Sequence, residues 1–215
     1  LLTTGKTMKL LTRNAKGSIG TKVYQLYYTN TTRILEGYKL LQTTMGPEMV
    51  EDLNWYVKTV SSTMDNSVIP RIVCAVEGGD MIGISIGSYL KNLNMGFMCY
   101  SGVATKWRRR GIYTAMRSSV IDLLHLEAKS EGLQMIISEL REDSWLLRKY
   151  INAWNSFEIQ CDYEQPTSQG LTATPFRLVA QPANRRTPLT TVETISIVRE
   201  IYRCVYRINN IENNE

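Results

Sequence analysis

The chain has 215 residues, 43% of them hydrophobic, and 25 Lys and Arg against 20 Asp and Glu; it can bury one good core, and a single domain with extensions is expected. Its four cysteines show no C-x-x-C spacing, which points to a reducing, intracellular setting, the cytoplasm with an organelle matrix or a virion as alternatives, rather than secretion. The single histidine, His125, excludes a multi-histidine metal site and makes any Ser-His-Asp site depend on that one position.

Residues 1–20 carry Lys6, Lys9, Arg13 and Lys16 and no acidic side chain. They read as a solvated basic arm, with a targeting remnant, a nucleic-acid contact or a polyprotein linker as alternatives; the leucine start reads as a processed product. Interleaved aromatics are missing, so nucleic acid is not an expected partner. Lys22 to Tyr28 alternates as a first strand, and Thr32 to Gln42 and Pro47 to Ser61 read as two helices. The second opens on Pro47 at its first position with Glu48, Glu51 and Asp52 behind it, and Val50, Leu53, Val57 and Val60 give it an apolar stripe. Arg71 to Val76 and Met81 to Leu90 are strands joined by the turn Glu77-Gly78-Gly79-Asp80. Ile82, Ile84 and Ile86 share one face of the later strand, and Gly83, Ser85 and Gly87 the other, a face small enough for a helix or a ligand to approach closely.

Met95 to Ala104 is an uncharged, mostly apolar run that reads as a strand covered on both faces. Ile112, Ala115, Met116, Val120, Leu123 and Leu124 then recur at helical spacing, with His125 at the surface or boundary, and Leu133 to Leu140 is a second buried strand. Strand, long helix and strand imply a crossover between parallel neighbours, and ligands of such sheets bind at the carboxyl ends of strands. At that end stand Arg108, Arg109, Arg110 and Gly111. Cations crowded at a helix start oppose the macrodipole unless an anion is expected there, and glycine lets the backbone come close to it. Anion binding at this turn is the central expectation.

These residues resemble the acyl-CoA-binding motif of the GNAT N-acetyltransferase superfamily: a strand ending in valine, then Arg/Gln-x-x-Gly-x-Gly/Ala opening a long helix. The motif falls on Val103 and on Arg108, Arg109, Arg110, Gly111, Ile112 and Tyr113, with tyrosine at the last position where the family has glycine or alanine; its side chain would point outward or narrow the cradle. The resemblance implies that these residues bind acetyl-CoA as co-substrate, the amides of the turn holding the pyrophosphate and the valine strand the pantetheine arm. It covers roughly residues 21–180 as element order. It implies an α/β (α+β) acyl-CoA N-acyltransferase fold: a central mixed, mostly antiparallel twisted sheet with helices on both faces, plus a C-terminal helix.

Its expected activity is transfer of the acetyl group to a primary amine on a small molecule or a protein, by direct attack and with no metal. The alternative is a catalytically degenerate GNAT-like domain that serves as a structural or interaction module in a larger assembly. The family's tyrosine acid falls on Asn152 when its Gly-Phe is anchored on Ser156-Phe157. Tyr150 would serve instead only in a different register; otherwise it packs beside Trp145 and Trp154. Glu139, near the end of the fifth core strand, is the candidate general base; exposed, it would simply pair with Arg141. Gln181 to Arg186 reads as a linker, and Thr190-Thr191-Val192-Glu193 as a capping box. Ile195, Val198, Tyr202, Val205 and Ile208 follow on one face of a terminal helix, within an extension spanning 181–215, that docks on the domain or grips a protein partner. No apolar run reaches the ~20 residues of a membrane span.

Overall fold

The computed structural model describes residues 8–13, 21–61, 67–128, 132–167, 170–171, 176–184 and 189–208. Lys6, Lys16, Arg185 and Arg186 lie outside them. Strand β1 (Met8–Arg13) pairs antiparallel with β2 (Lys22–Leu26), and β2 with β3 (Val68–Glu77). Part of the segment expected to be a solvated arm is thus a strand, because its backbone groups find partners on β2. The first predicted strand ends at Leu26, two residues before Tyr28.

Helix α1 (Thr31–Met45) starts where the Asn30 side chain accepts from the Arg33 amide at 3.2 Å, and stops at Gly46, whose φ of 103° leaves helical space. The predicted helix from Pro47 to Ser61 is two pieces. A 3₁₀ turn, Pro47–Met49, is followed by Val50 in extended backbone at φ −124° and ψ 122°. Helix α2 (Leu53–Ser61) then begins afresh, with the Asp52 carboxylate accepting from the Trp55 amide at 3.0 Å. Asp52 is therefore a cap rather than a first-turn acid, and the later start resets the phase. Tyr56 and Val60 are buried, whereas Leu53 and Val57, expected in the stripe, are exposed.

Gly78 and Gly79, with φ of 59° and 97°, make the two-residue connection between β3 and β4 (Asp80–Leu90); two positive-φ residues suit the twist of a tight hairpin. The small face of β4 is used for close packing: a Cβ on Gly83 would sit 2.8 Å from Met116 Cε, and Ser85 Oγ lies 2.7 Å from Ser101 Oγ. Met116 belongs to α3 (Ile112–Ala128), which follows β5 (Met95–Val103) and buries Ile112, Met116, Val120, Leu123 and Leu124. Strand β6 (Met135–Arg141) pairs in parallel with β5, from Gly96 opposite Ile136 to Met98 opposite Ser138. This meets the crossover expectation.

Helix α4 (Trp145–Ala153) is capped by Ser144, whose side chain accepts from Leu146 N. Short strands β7 (Phe157–Glu158), β8 (Pro166–Thr167) and β9 (Gly170–Leu171) precede β10 (Phe176–Pro182). β10 pairs antiparallel with β6 and with β7. Gln181 and Pro182 belong to it rather than to a linker, because they complete its register against Ile136 and Met135. Eight strands follow the order β1-β2-β3-β4-β5-β6-β10-β7, a mixed sheet, with β8 and β9 forming a separate ribbon. The chain divides into two compact units. The first holds β1, β2, α1, α2, most of β3 and β4, the end of β5 and α3 to Leu124; its core joins Leu26, Ile34, Leu41, Tyr56, Ile72, Ile84 and Ile86. The second holds the start of β5 and everything from β6 onward.

Helix α5 (Thr191–Glu200) opens on the expected capping box: Thr190 Oγ1 accepts from Glu193 N at 3.3 Å, while Glu193 Oε2 accepts from Thr190 N at 2.8 Å. It runs into one π-helical turn, Ile201–Val205. Its buried side is Ile197, Ile201, Cys204 and Val205, and Ile195 is exposed. The expected stripe from Ile195 is displaced: within α5 Ile197 rather than Ile195 is buried, and past the π turn Tyr206, outside the expected stripe, is buried as well.

Candidate functional site

In the first unit, β5 ends at Val103 and α3 begins at Ile112, and the connection is built by charge and by handedness. A 3₁₀ turn, Thr105–Trp107, leads into Arg108 in extended backbone. Arg109 and Gly111 take positive φ, 63° and 74°, with Arg110 between them on the negative side. Alternating hand over successive residues swings their N–H groups toward one side, the concavity that binds anions elsewhere. A left-handed arginine costs about 1–2 kcal/mol. Among the described residues, no acceptor answers the amides of Arg109, Arg110, Gly111 and Ile112. Ile112 is buried, which fixes the helix start, while Arg108, Arg109, Arg110 and Gly111 are exposed.

The guanidiniums of Arg108 and Arg110 make different contacts. Arg108 Nε donates to the Val103 carbonyl at 3.1 Å, and its terminal nitrogen donates to the Thr44 carbonyl at 3.2 Å. Arg108 therefore ties the turn to the ends of β5 and α1. Arg110 stacks over the Trp107 ring at 4.8 Å, with Lys106 also over that ring at 5.7 Å; such stacking holds a cation in place without neutralising it. A Cβ on Gly102 would fall against Thr44 Oγ1, so this glycine lets α1 close on β5. Tyr113 is half-buried in the first turn of α3.

In the second unit, Glu139 sits on β6 opposite Leu178 of β10. The Tyr163 hydroxyl donates to Glu139 Oε1, and the Tyr206 hydroxyl donates to Oε2. Gln165 Nε2 lies 3.5 Å from Oε2 and donates to the Tyr206 oxygen at 3.0 Å. Burial and the Glu139 charge hold the Tyr163 hydroxyl well above the usual phenol range, so it stays a donor. The Tyr163 ring lies 5.7 Å from that of Tyr202, whose hydroxyl donates to the Glu164 carbonyl at 2.6 Å. Arg141, the partner expected for an exposed Glu139, instead makes a two-pronged pair with Asp143 at 3.0 and 2.9 Å.

Glu139 and Tyr150 are not brought together. Successive strand residues face opposite sides of a sheet. Ser138 Oγ donates to the Tyr150 hydroxyl at 3.3 Å, and Tyr150 packs with Leu140 and Val179 and edge-on against Trp154, with ring centroids 4.7 Å apart. Glu139 points to the side where Tyr163 and Tyr206 meet it. Trp145, named with Tyr150 in the sequence reading, is exposed, as are Asn152 and His125.

Tyr163, Gln165 and Tyr206 escaped the sequence reading. Tyr163 lies in irregular chain after β7 and Tyr206 at the end of the π turn, and neither position carries a motif or a period. The only signal was the density of tyrosine after residue 200. Among the described residues, no group of three or more His, Cys, Asp or Glu side chains is placed to hold a metal ion, and no helix is long and apolar enough to cross a membrane.

No protein-family model matches the chain, and no curated protein matches it in sequence. Solved structures do. The ribosomal-protein-S18-alanine N-acetyltransferase of Escherichia coli is similar over 78% of this chain and 96% of its own, at 16% identity and a TM-score of 0.55. A putative GNAT-family acetyltransferase of Bacteroides thetaiotaomicron is similar over 87% and 99%, at 15% identity and a TM-score of 0.59. The diaminobutyrate acetyltransferase of Paenibacillus lautus, solved with L-2,4-diaminobutyric acid and coenzyme A, is similar over 78% and 98%, at 16% identity and a TM-score of 0.56. The chain has the GNAT acyl-CoA N-acyltransferase fold.

Proposed function

We propose that this chain is an acetyl-CoA-dependent N-acetyltransferase whose co-substrate is held by Val103 and by the turn from Arg108 to Tyr113. One observation carries the reading: four consecutive amides, Arg109 to Ile112, stand without acceptors among the described residues, at the start of a 17-residue helix and in a run of exposed arginines. A diphosphate satisfies that arrangement, because it offers several acceptor oxygens and negative charge to one helix end. The GNAT fold supports the assignment, and the left-handed arginine is a local cost that bound phosphate would offset.

The chemistry proposed is direct transfer. The amine lone pair attacks the thioester carbonyl, the new C–N bond forms as the C–S bond breaks, and the thiolate leaves as CoA. Glu139 takes the proton that the amine loses; its carboxylate is acceptor-only and is oriented by two hydroxyl donors. The acceptor is an amine on a small molecule or a protein, acting in the cytoplasm. Tyr150, the second catalytic candidate, is buried against Leu140, Val179 and Trp154; it would act as an acid only by leaving that packing.

That burial also favours a second reading, a catalytically degenerate GNAT-like domain that serves as a structural or interaction module in an assembly. Titration calorimetry with CoA tests the cofactor site: no binding, or binding unchanged by Arg109→Ala/Arg110→Ala, refutes the enzyme and leaves the module. Release of free thiol from acetyl-CoA across a panel of primary amines separates them. Transfer to any amine sustains the enzyme, and binding without thiol release sustains the module.

A further inference from the structure

The terminal helical segment is built to deliver one hydroxyl to β6. Its start is fixed by the Thr190–Glu193 box, and its inner side buries Ile197, Ile201 and Cys204. Glu200, buried near its end, accepts from Asn92 Nδ2 at 2.9 Å and from Cys204 Sγ at 3.2 Å, and pairs with Arg203. These contacts seat the helix in the second unit at several points along its length. The π turn then changes its phase. Tyr206 N donates to Ile201 O at 3.1 Å, five residues back. An α-helix continuing the face of Ile197 and Ile201 would carry positions 204, 205 and 208 there and turn 206 away. The wider turn brings Tyr206 onto the buried side, where its hydroxyl reaches Glu139 Oε2. Single π turns within helices occur often at functional sites.

The hydroxyl is also given a direction. Gln165 Nε2 donates to the Tyr206 oxygen, which leaves the phenol proton for the carboxylate. Tyr163 donates to the other carboxylate oxygen, so the two phenols fix the rotation of the carboxyl plane as well as its position. A side chain whose only purpose was to fill space beneath α5 would need neither hydroxyl. Tyr163, Tyr202 and Tyr206 are among the titratable groups around Glu139.

We propose that Tyr206 is a positioning residue for Glu139, with Tyr163 as its counterpart, so that the segment 189–208 completes the proton-accepting site. This rests on the reading of Glu139 as the base. It extends the catalytic apparatus to a helix that the sequence reading had placed outside the domain core.

Two measurements on the full chain test it. The first follows the Glu139 side-chain carboxyl by carbon NMR through a pH titration in wild type, Tyr206→Phe and Tyr163→Phe, and needs no turnover. Loss of a donor disfavours the ionised carboxyl, so each variant is expected to titrate at higher pH than wild type. An unchanged midpoint in Tyr206→Phe overturns the proposal. The second measures thiol release with the best amine of a panel comprising L-lysine, a polyamine, an aminoglycoside and a short peptide with a free N-terminus. Tyr206→Phe is expected to lower kcat about tenfold, a fraction of what a general base supplies, with the acid limb of the pH profile displaced upward and acetyl-CoA affinity unchanged. In a Glu139→Gln background the same change is expected to add nothing. An equal further loss in that background overturns the proposal, because Tyr206 would then act without Glu139. Full activity in Glu139→Gln overturns the base assignment itself, an outcome separate from the NMR result. Should Tyr206→Phe melt early, Tyr163→Phe carries both measurements.

Discussion

Arg108 and Val103 close a six-residue loop on themselves: the guanidinium Nε donates to the carbonyl that ends β5, at 3.1 Å. The same side chain reaches the Thr44 carbonyl at 3.2 Å, so it braces the turn as well as charging it. Arg110 has no such carbonyl among the described residues and rests on Trp107. The two arginines should therefore separate in mutation. Arg108→Ala is expected to lower stability by about 1 kcal/mol and to weaken CoA binding with it. Arg110→Ala is expected to weaken binding about tenfold or less while the melting temperature stays put. Paired calorimetry and thermal melts read both quantities, and equal melting losses would show that Arg108 braces nothing.

Two glycines offer a test of how tightly the first unit is packed. On Gly102 an added methyl would press on Thr44, whose hydroxyl is already committed to the Leu40 carbonyl at 2.7 Å. Gly102→Ala is expected to cost about 1–3 kcal/mol and to disturb the Arg108 contact through Thr44. On Gly83 the methyl would meet the end of Met116 at 2.8 Å, a flexible thioether that can move aside. Gly83→Ala is expected to cost less than about 1 kcal/mol. Urea denaturation of the two variants gives the order, and the reverse order would contradict the packing described.

Alkaline pH should weaken the fold through Cys74. Burial pushes its thiol up from 9.0 to about 11. Between those values the unfolded chain has released a proton that the folded chain still holds, so stability falls as pH rises and is intact below about 9. Burial holds the Tyr56 and Tyr163 hydroxyls up in the same sense, from 10.0. The Cys74 share amounts to about 2 kcal/mol. Urea midpoints at about pH 8 and about pH 11 should show the decline, and Cys74→Ala should flatten part of it. A decline identical in that variant would assign the effect elsewhere.

The capping box of α5 is expected to contribute about 1 kcal/mol. Thr190→Ala removes the acceptor for Glu193 N and the hydroxyl that donates to the Glu193 carboxylate, and keeps the bond from the residue-190 amide. A melting temperature lowered by a few degrees checks it; no change would show that the helix is held by Ile197, Ile201 and Glu200 alone.

Local rules carried the sequence reading where chemistry is local. Gly78-Gly79 announced the hairpin, Thr190-x-x-Glu193 announced α5, and the Arg108-to-Gly111 run between an apolar strand and a long apolar-faced helix announced the turn at its correct place. The reading failed where one residue overrode a period. Extended Val50 splits what looked like a single helix, and the π turn after Glu200 brings Tyr206, outside the expected stripe, onto the buried side. It could not find the partners of Glu139. Tyr163 lies 24 residues from it and Tyr206 lies 67, and no spacing encodes a contact made only when β6, the irregular chain after β7 and the terminal helix are folded against one another. The choice offered for Glu139, buried base or surface ion pair with Arg141, omitted the arrangement found, a carboxylate gripped by phenols.

The 67-residue span between Glu139 and Tyr206 has a consequence for how the molecule comes into being. During synthesis β6 leaves the ribosome long before Tyr206, so the contact between the Tyr206 hydroxyl and the Glu139 carboxylate forms only after the segment through residue 206 has been added. The full set of hydroxyl contacts on Glu139 is thereby tied to arrival of residue 206, and a nascent chain stalled before that point would carry the arginine turn without the Tyr206 contact.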